Sequence, residues 1–181
     1  LFHAAGKLTA VGTAAEPIIF TGIADDSAGG DSNGDTDEVA IAAGSWEALY
    51  LDSDDVLLDH VEVRYAGNQF RPGHGSGPTS AVHVRNEASP TVRNTQVLDA
   101  ENIGIYLLNG SPVLDQVQVV RAGDEAIYQK FVATPQITNV TLADSGVDGV
   151  TIETGTVTGV RTWDYGGLPV HMTGDLSVAV D

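Results

Sequence analysis

Apolar and polar residues alternate along this chain in short runs, and each run is broken by Gly, Asn, Asp or Pro before it lengthens. The stretch "DDVLLDHVEVRYAG" (Asp54 to Gly67) is typical. Alternation with a period of two places successive side chains on opposite faces of a strand, whereas an amphipathic helix needs apolar residues three and four apart. No helical stripe of that kind occurs. The pattern predicts strand and turn throughout.

The alternation itself recurs. "ASPTVRNTQVLDAENIGIYLLN" (Ala88 to Asn109), "GSPVLDQVQVVRAGDEAIYQKF" (Gly110 to Phe131) and "ATPQITNVTLADSGVDGVTIET" (Ala133 to Thr154) align with one another, and Pro90, Pro112 and Pro135 mark a period of 22 and then 23 residues. Asp54 to Gly67 is an earlier copy without the Pro, and "NQFRPGHGSGPTS" (Asn68 to Ser80) then reads as an insertion. Several short strands per unit of about 22–23 residues predict an all-β fold, a parallel β-helix or solenoid, in which each strand lies about 4.8 Å from its equivalent in the next coil. Leu49, Val82, Ile105, Ile127 and Val150 should then form one inward column, and Leu51, Val84, Leu107, Gln129 and Ile152 a second. His60, Asn94, Gln116 and Asn139 align as a polar column beside Val61, Thr95, Val117 and Val140, which is expected to be a ladder of amides at a coil corner. A single coil buries too little to offset its ordering entropy, so stacking must supply the stability.

"GKLTAVGTAAEPIIFTG" (Gly6 to Gly22), an acidic loop followed by "GSWEALYL" (Gly44 to Leu51), and "LDHVEVRYAG" (Leu58 to Gly67) follow in that order. They resemble the right-handed parallel β-helix repeat modules of large bacterial secreted and cell-surface, adhesin-like proteins. The resemblance covers essentially the whole chain and implies a right-handed helix. "WDYGGLPVHMTGDLSVAVD" (Trp163 to Asp181) is similar to the join at which another module's opening coil begins. Pectate lyases and other polysaccharide-degrading enzymes share the architecture, so the resemblance speaks for the fold more than for an activity.

Composition narrows the partners. The 181 residues, 42% of them hydrophobic, suffice for one domain, with insertions at 24–45 and 68–80. Beginning at Leu1 without a signal peptide, they read as a piece of a longer chain. A formal charge of -17 repels nucleic acid and anionic lipid, and no apolar run is long enough to insert in a membrane as a helix. The expected partners are cations, polysaccharide or cell-surface glycan, and neighbouring modules of the same chain. With no cysteine there is neither a disulfide nor a thiolate metal site, which is compatible with an extracellular or bacterial cell-surface location.

Two surfaces carry candidate chemistry. In "DDSAGGDSNGDTDE" (Asp25 to Glu38), Asp31, Asn33, Asp35 and Asp37 alternate around Gly34, a spacing that aims oxygens into one hollow, as calcium loops do. Asp25, Asp26 and Glu38 are further calcium ligands in this reading. Ala42 stands where an EF-hand needs its closing Glu, so that motif is excluded. On the strands, the residues between the two inward columns are Tyr50, His83, Tyr106, Tyr128 and Thr151. They should form an exposed aromatic stripe on which a sugar could stack, with Arg85 and Lys130 beside it as hydrogen-bond donors. No G-x-S-x-G, P-loop or H-E-x-x-H motif occurs, and Arg64, Arg71, His74, Arg85 and Lys130 are scattered, so no catalytic residue is assigned. The expected function is a non-enzymatic structural or adhesive module stabilised by calcium. The alternative is a carbohydrate-active domain, binding glycan or related to polysaccharide lyases.

Overall fold

A computed structural model of the protein describes residues 1–36, 40–68 and 79–179. Short β-strands of three to six residues account for its regular structure, and there is no helix among the described residues. The strands come in threes. The first repeat contributes β1 (Phe2–Ala4), β2 (Leu8–Val11) and β3 (Ile18–Phe20), the second β4 (Leu49–Leu51), β5 (Val56–Asp59) and β6 (Val61–Arg64), and the third β7 (Ser80–Val84), β8 (Thr91–Arg93) and β9 (Gln96–Leu98). The fourth contributes β10 (Ile103–Leu107), β11 (Val113–Asp115) and β12 (Gln118–Val120), and the fifth β13 (Glu125–Gln129), β14 (Gln136–Thr138) and β15 (Thr141–Ala143). After them come β16 (Val147–Ile152), β17 (Gly155–Val157), β18 (Val170–Met172) and β19 (Leu176–Val178).

As far as β16, each of the three large sheets collects every third strand. The first runs β1-β4-β7-β10-β13-β16-β18, the second β2-β5-β8-β11-β14, and the third β3-β6-β9-β12-β15, while β17 pairs with β19. All the pairings are parallel. The chain is thus all-β with parallel strands in stacked sheets, an order consistent with a β-solenoid. Both aliphatic columns predicted from the sequence lie in register, Leu49 against Val82 and Ile105 against Ile127, Leu51 against Val84 and Leu107 against Gln129. Their members are buried.

What turns the chain between sheets is a pair of single residues in the left-handed region. His60, Asn94, Gln116 and Asn139 have φ of 52°, 48°, 53° and 53°, and Tyr65, Asp99, Arg121 and Asp144 have 58°, 54°, 58° and 57°. One of each set brackets every third-sheet strand from β6 to β15. Such a conformation costs a non-Gly residue roughly 1–2 kcal/mol. The backbone ladder continuing through the corners offsets it: Asn94 N–H donates to the Asp115 carbonyl at 3.0 Å, Gln116 N–H to Thr138 at 3.0 Å and Asp99 N–H to Val120 at 3.1 Å. Gly110, with φ +83°, has no such freedom of residue type, because a Cβ there would run into the Ala88 carbonyl of the preceding repeat.

Candidate functional sites: an acidic loop, a ring column and an amide groove

Beyond β3 the chain leaves the sheets for the acidic loop. Asp25 anchors its base. The carboxylate accepts hydrogen bonds from the Thr21 hydroxyl at 2.7 Å and from the Ser27 hydroxyl, and Arg64 of β6 lies 3.6 Å away. Burial pushes this carboxyl up, but the two hydroxyls and the Arg64 guanidinium together hold it below the usual carboxylate range. Arg64 is shared with Glu62 on its own strand. Asp25 is therefore turned to the sheet rather than to the hollow of the loop.

The hollow gathers Asp26, Asp31 and Asp35, each offering one carboxylate oxygen, all within 4.8 Å of one another. Asp31 shapes it, one oxygen accepting the Gly34 and Asp35 N–H groups at 2.6 and 3.1 Å and the other the Thr36 N–H at 3.3 Å. Asn33 donates to Asp35 at 2.7 Å and accepts its N–H at 3.2 Å, so it braces a carboxylate instead of adding an oxygen to the cluster. Asp37 and Glu38, also expected as ligands, lie outside the described residues, as do Arg71 and His74. Three like charges this close favour a cation among them, and oxygen donors of this kind suit calcium.

The rings between the two aliphatic columns do meet one another, edge-on or tilted. Centroids lie 6.3 Å apart for His3 and Tyr50, 5.3 Å for Tyr50 and His83, 4.5 Å for His83 and Tyr106, and 5.6 Å for Tyr106 and Tyr128. Their exposure differs from the expectation. Tyr106 retains 2% of its surface and Thr151 4%, and Tyr50, His83 and Tyr128 are half-buried. Strands about 4.8 Å apart bring rings into mutual contact, so each covers part of the next. The polar flank is also engaged: Arg85 bonds Asp52 at 2.7 Å and stands 4.2 Å over the Tyr50 ring, and Lys130 bonds Glu153 at 2.8 Å. Burial, then the Arg85 charge, lowers the His83 imidazole to about 4, which keeps it neutral at neutral pH.

Carboxylates link the repeats. Asp52 accepts from His3, Arg85 and Asn86 at 2.6, 2.7 and 2.8 Å. Asp59 accepts from Arg93 and Asn94 at 3.0 and 2.8 Å and lies 2.8 Å from His60 Nδ1, Asp99 takes Arg121 through two bonds at 2.6 and 2.8 Å, and Asp115 accepts from Thr138 and Asn139 at 2.6 and 3.1 Å. Of the corner amides expected to bond one another in a ladder, Asn94 and Asn139 thus bond carboxylates of the preceding repeat. A carboxylate accepts only, so it takes an N–H without leaving a donor unpaired.

Outside this column lies a groove the sequence reading missed. Gln96, Gln118 and Thr141 pair in register on β9, β12 and β15, and with the corner residues Asn94, Gln116 and Asn139 they line an open cavity of about 610 Å³. Its lining carries no charged side chain. The signal was there in the 22-residue period, but only for outward positions, which a search for a core passes over. Compared with known proteins, the chain matches no family model, and no curated protein and no solved structure matches it significantly.

Proposed function

We propose that the chain is a right-handed parallel β-helix segment acting as a non-enzymatic structural or adhesive module of an extracellular or cell-surface protein, with calcium holding its acidic loop. The observation that supports this most is how the polar groups are used. Asp25, Asp52, Asp59, Asp99, Asp115 and Glu153 each hold a hydroxyl, amide or cation of their own or an adjoining repeat. Such a surface resists shear between repeats and leaves few strong groups for chemistry on a bound molecule. Calcium in the Asp26, Asp31 and Asp35 hollow would tie the longest described excursion to β3 and to Arg64 through Asp25.

Thermal melting tests the calcium part. At a hundredfold excess of calcium over its dissociation constant the folded state gains about 2.7 kcal/mol, which corresponds to roughly 5–10 °C for a domain of this size. Chelator should remove that increment, and Asp31→Asn with Asp35→Asn should abolish the response. A melting temperature indifferent to calcium in the unaltered chain would exclude it.

The amide groove favours a second reading, a surface for a neutral glycan. Amides both donate to and accept from sugar hydroxyls, and an uncharged lining on so acidic a chain avoids desolvating carboxylates. The expected outcome is retention of a neutral oligosaccharide on a glycan array that Gln118→Ala weakens while Tyr128→Ala does not. Equal loss in both variants, or no retention, counts against the groove.

A further inference from the structure

The amide groove has a direction. Ile19, Glu62, Gln96, Gln118 and Thr141 are successive register partners on β3, β6, β9, β12 and β15, so they form one row that crosses the third sheet along the stack. The corner residues His60, Asn94, Gln116 and Asn139 make a second row beside it. Both rows advance by the strand spacing, about 4.8 Å per repeat. The open space follows them. Next to the cavity of about 610 Å³ lies a smaller one of about 160 Å³, lined by Thr13, His60 and Glu62 and, in common with the larger, by Asn94 and Gln96. Joined at those two residues, the hollows make a trough that runs from the first repeat to the fifth.

The bonding groups of the trough are idle in the protein. Among the described residues, the side chains of Gln96, Gln116, Gln118 and Thr141 bond no other protein group. Asn94 and Asn139 spend an amide N–H on Asp59 and Asp115 and keep the amide oxygen as an acceptor. Glu62, the one carboxylate on the row, accepts from Arg64 of its own strand at 2.7 Å. Each repeat from the third to the fifth thus offers uncharged donors or acceptors at two points, once per strand spacing. An extended peptide advances about 3.4 Å per residue and falls out of step with such rungs. A pyranose in an extended β-1,4-linked glycan advances by nearly one strand spacing and stays in step.

We infer that the trough takes one unbranched, extended neutral glycan lengthwise, with successive sugar residues on successive repeats. This rests on the glycan reading of the amide groove and adds how the ligand lies and which linkage suits it.

Calorimetric titration of the chain with β-1,4-linked glucose oligosaccharides of two to six residues tests it. Affinity should rise about two- to tenfold with each added residue, the worth of one net hydrogen bond, and level off at about five, where the rungs end. An α-1,4-linked glucose series, whose chain coils, should show no such gain. Thr141→Val should weaken binding of the five-residue glycan and spare the two-residue one, which finds room elsewhere in the trough; Gln118→Ala should weaken the five-residue glycan too. Both positions are exposed, so an unchanged melting temperature verifies that each variant is folded. Affinity that does not depend on length but still falls in Gln118→Ala would overturn the lengthwise placement and leave the glycan reading standing, as would an equal gain along the α-linked series. Absence of binding at every length would remove both.

Discussion

Gln129 sits where the pattern calls for an aliphatic residue. It lies between Leu107 and Ile152 in the second inward column, fully buried, with neither end of its amide in a well-formed hydrogen bond. Burial pushes the nearby Tyr165 hydroxyl above its ordinary range, and the Gln129 amide partly offsets that, but the two do not meet in a well-shaped bond. A buried polar group without a partner costs about 1–3 kcal/mol. Gln129→Leu keeps roughly the volume and removes that cost, so with Tyr165→Phe it should raise the free energy of unfolding by about that amount in urea titrations. No gain in the double variant would mean that the pair is satisfied in solution. The column position of Gln129 was legible in the sequence; its lack of a partner was not, since Tyr165 lies 36 positions away.

At the scale of elements, the ring column on β4, β7, β10 and β13 behaves as a packed seam. Aromatic pairs in such contact contribute about 0.5–1.5 kcal/mol each beyond the area they bury, which explains the rings without any ligand. His83 makes the seam sensitive to acid. Its folded value of about 4 lies below the ordinary 6.5. Above 6.5 the ring is neutral in both states, and as pH falls towards 4 the unfolded chain binds a proton that the folded chain refuses. Stability should therefore drop across that window, by up to about 3 kcal/mol. His83→Phe should flatten the dependence in melts taken at successive pH values between 6.5 and 4.5. An unchanged slope would place His83 in solvent. The buried carboxylates Asp25 and Asp52 work lower down: held below their ordinary 3.8, they stabilise fully above that value and lose their contribution only in stronger acid.

In the whole molecule, stability passes from repeat to neighbouring repeat. Each strand of a sheet comes from a different repeat, so hydrogen bonds, aliphatic columns and carboxylate struts all run along the stack. Among the described residues nothing comparable crosses it except the interior packing itself. On the outermost strands of the first sheet Phe2, Val170 and Met172 are more exposed than the column members between them. Between the first five repeats, separating neighbours means breaking three sheets at once.

Period, strand content and the two inward columns were determined by the sequence alone, because a pattern that repeats every 22 or 23 residues must place equivalent side chains at equivalent depths. The spacing of Asp31 and Asp35 suggested oxygens aimed into one hollow, whereas Asn33, in the same alternation, braces Asp35 and Asp26 completes the group of three. Tertiary structure decided the rest: which outward residues are covered, as Tyr106 is; which carboxylates Asn94 and Asn139 meet; that Asp25 is held by Thr21, Ser27 and Arg64 at the base of the acidic loop; and that Gln96, Gln118 and Thr141 share a groove. Burial and pairing of an outward side chain depend on atoms more than twenty positions distant, whereas the alternation of a strand is a property of its nearest neighbours.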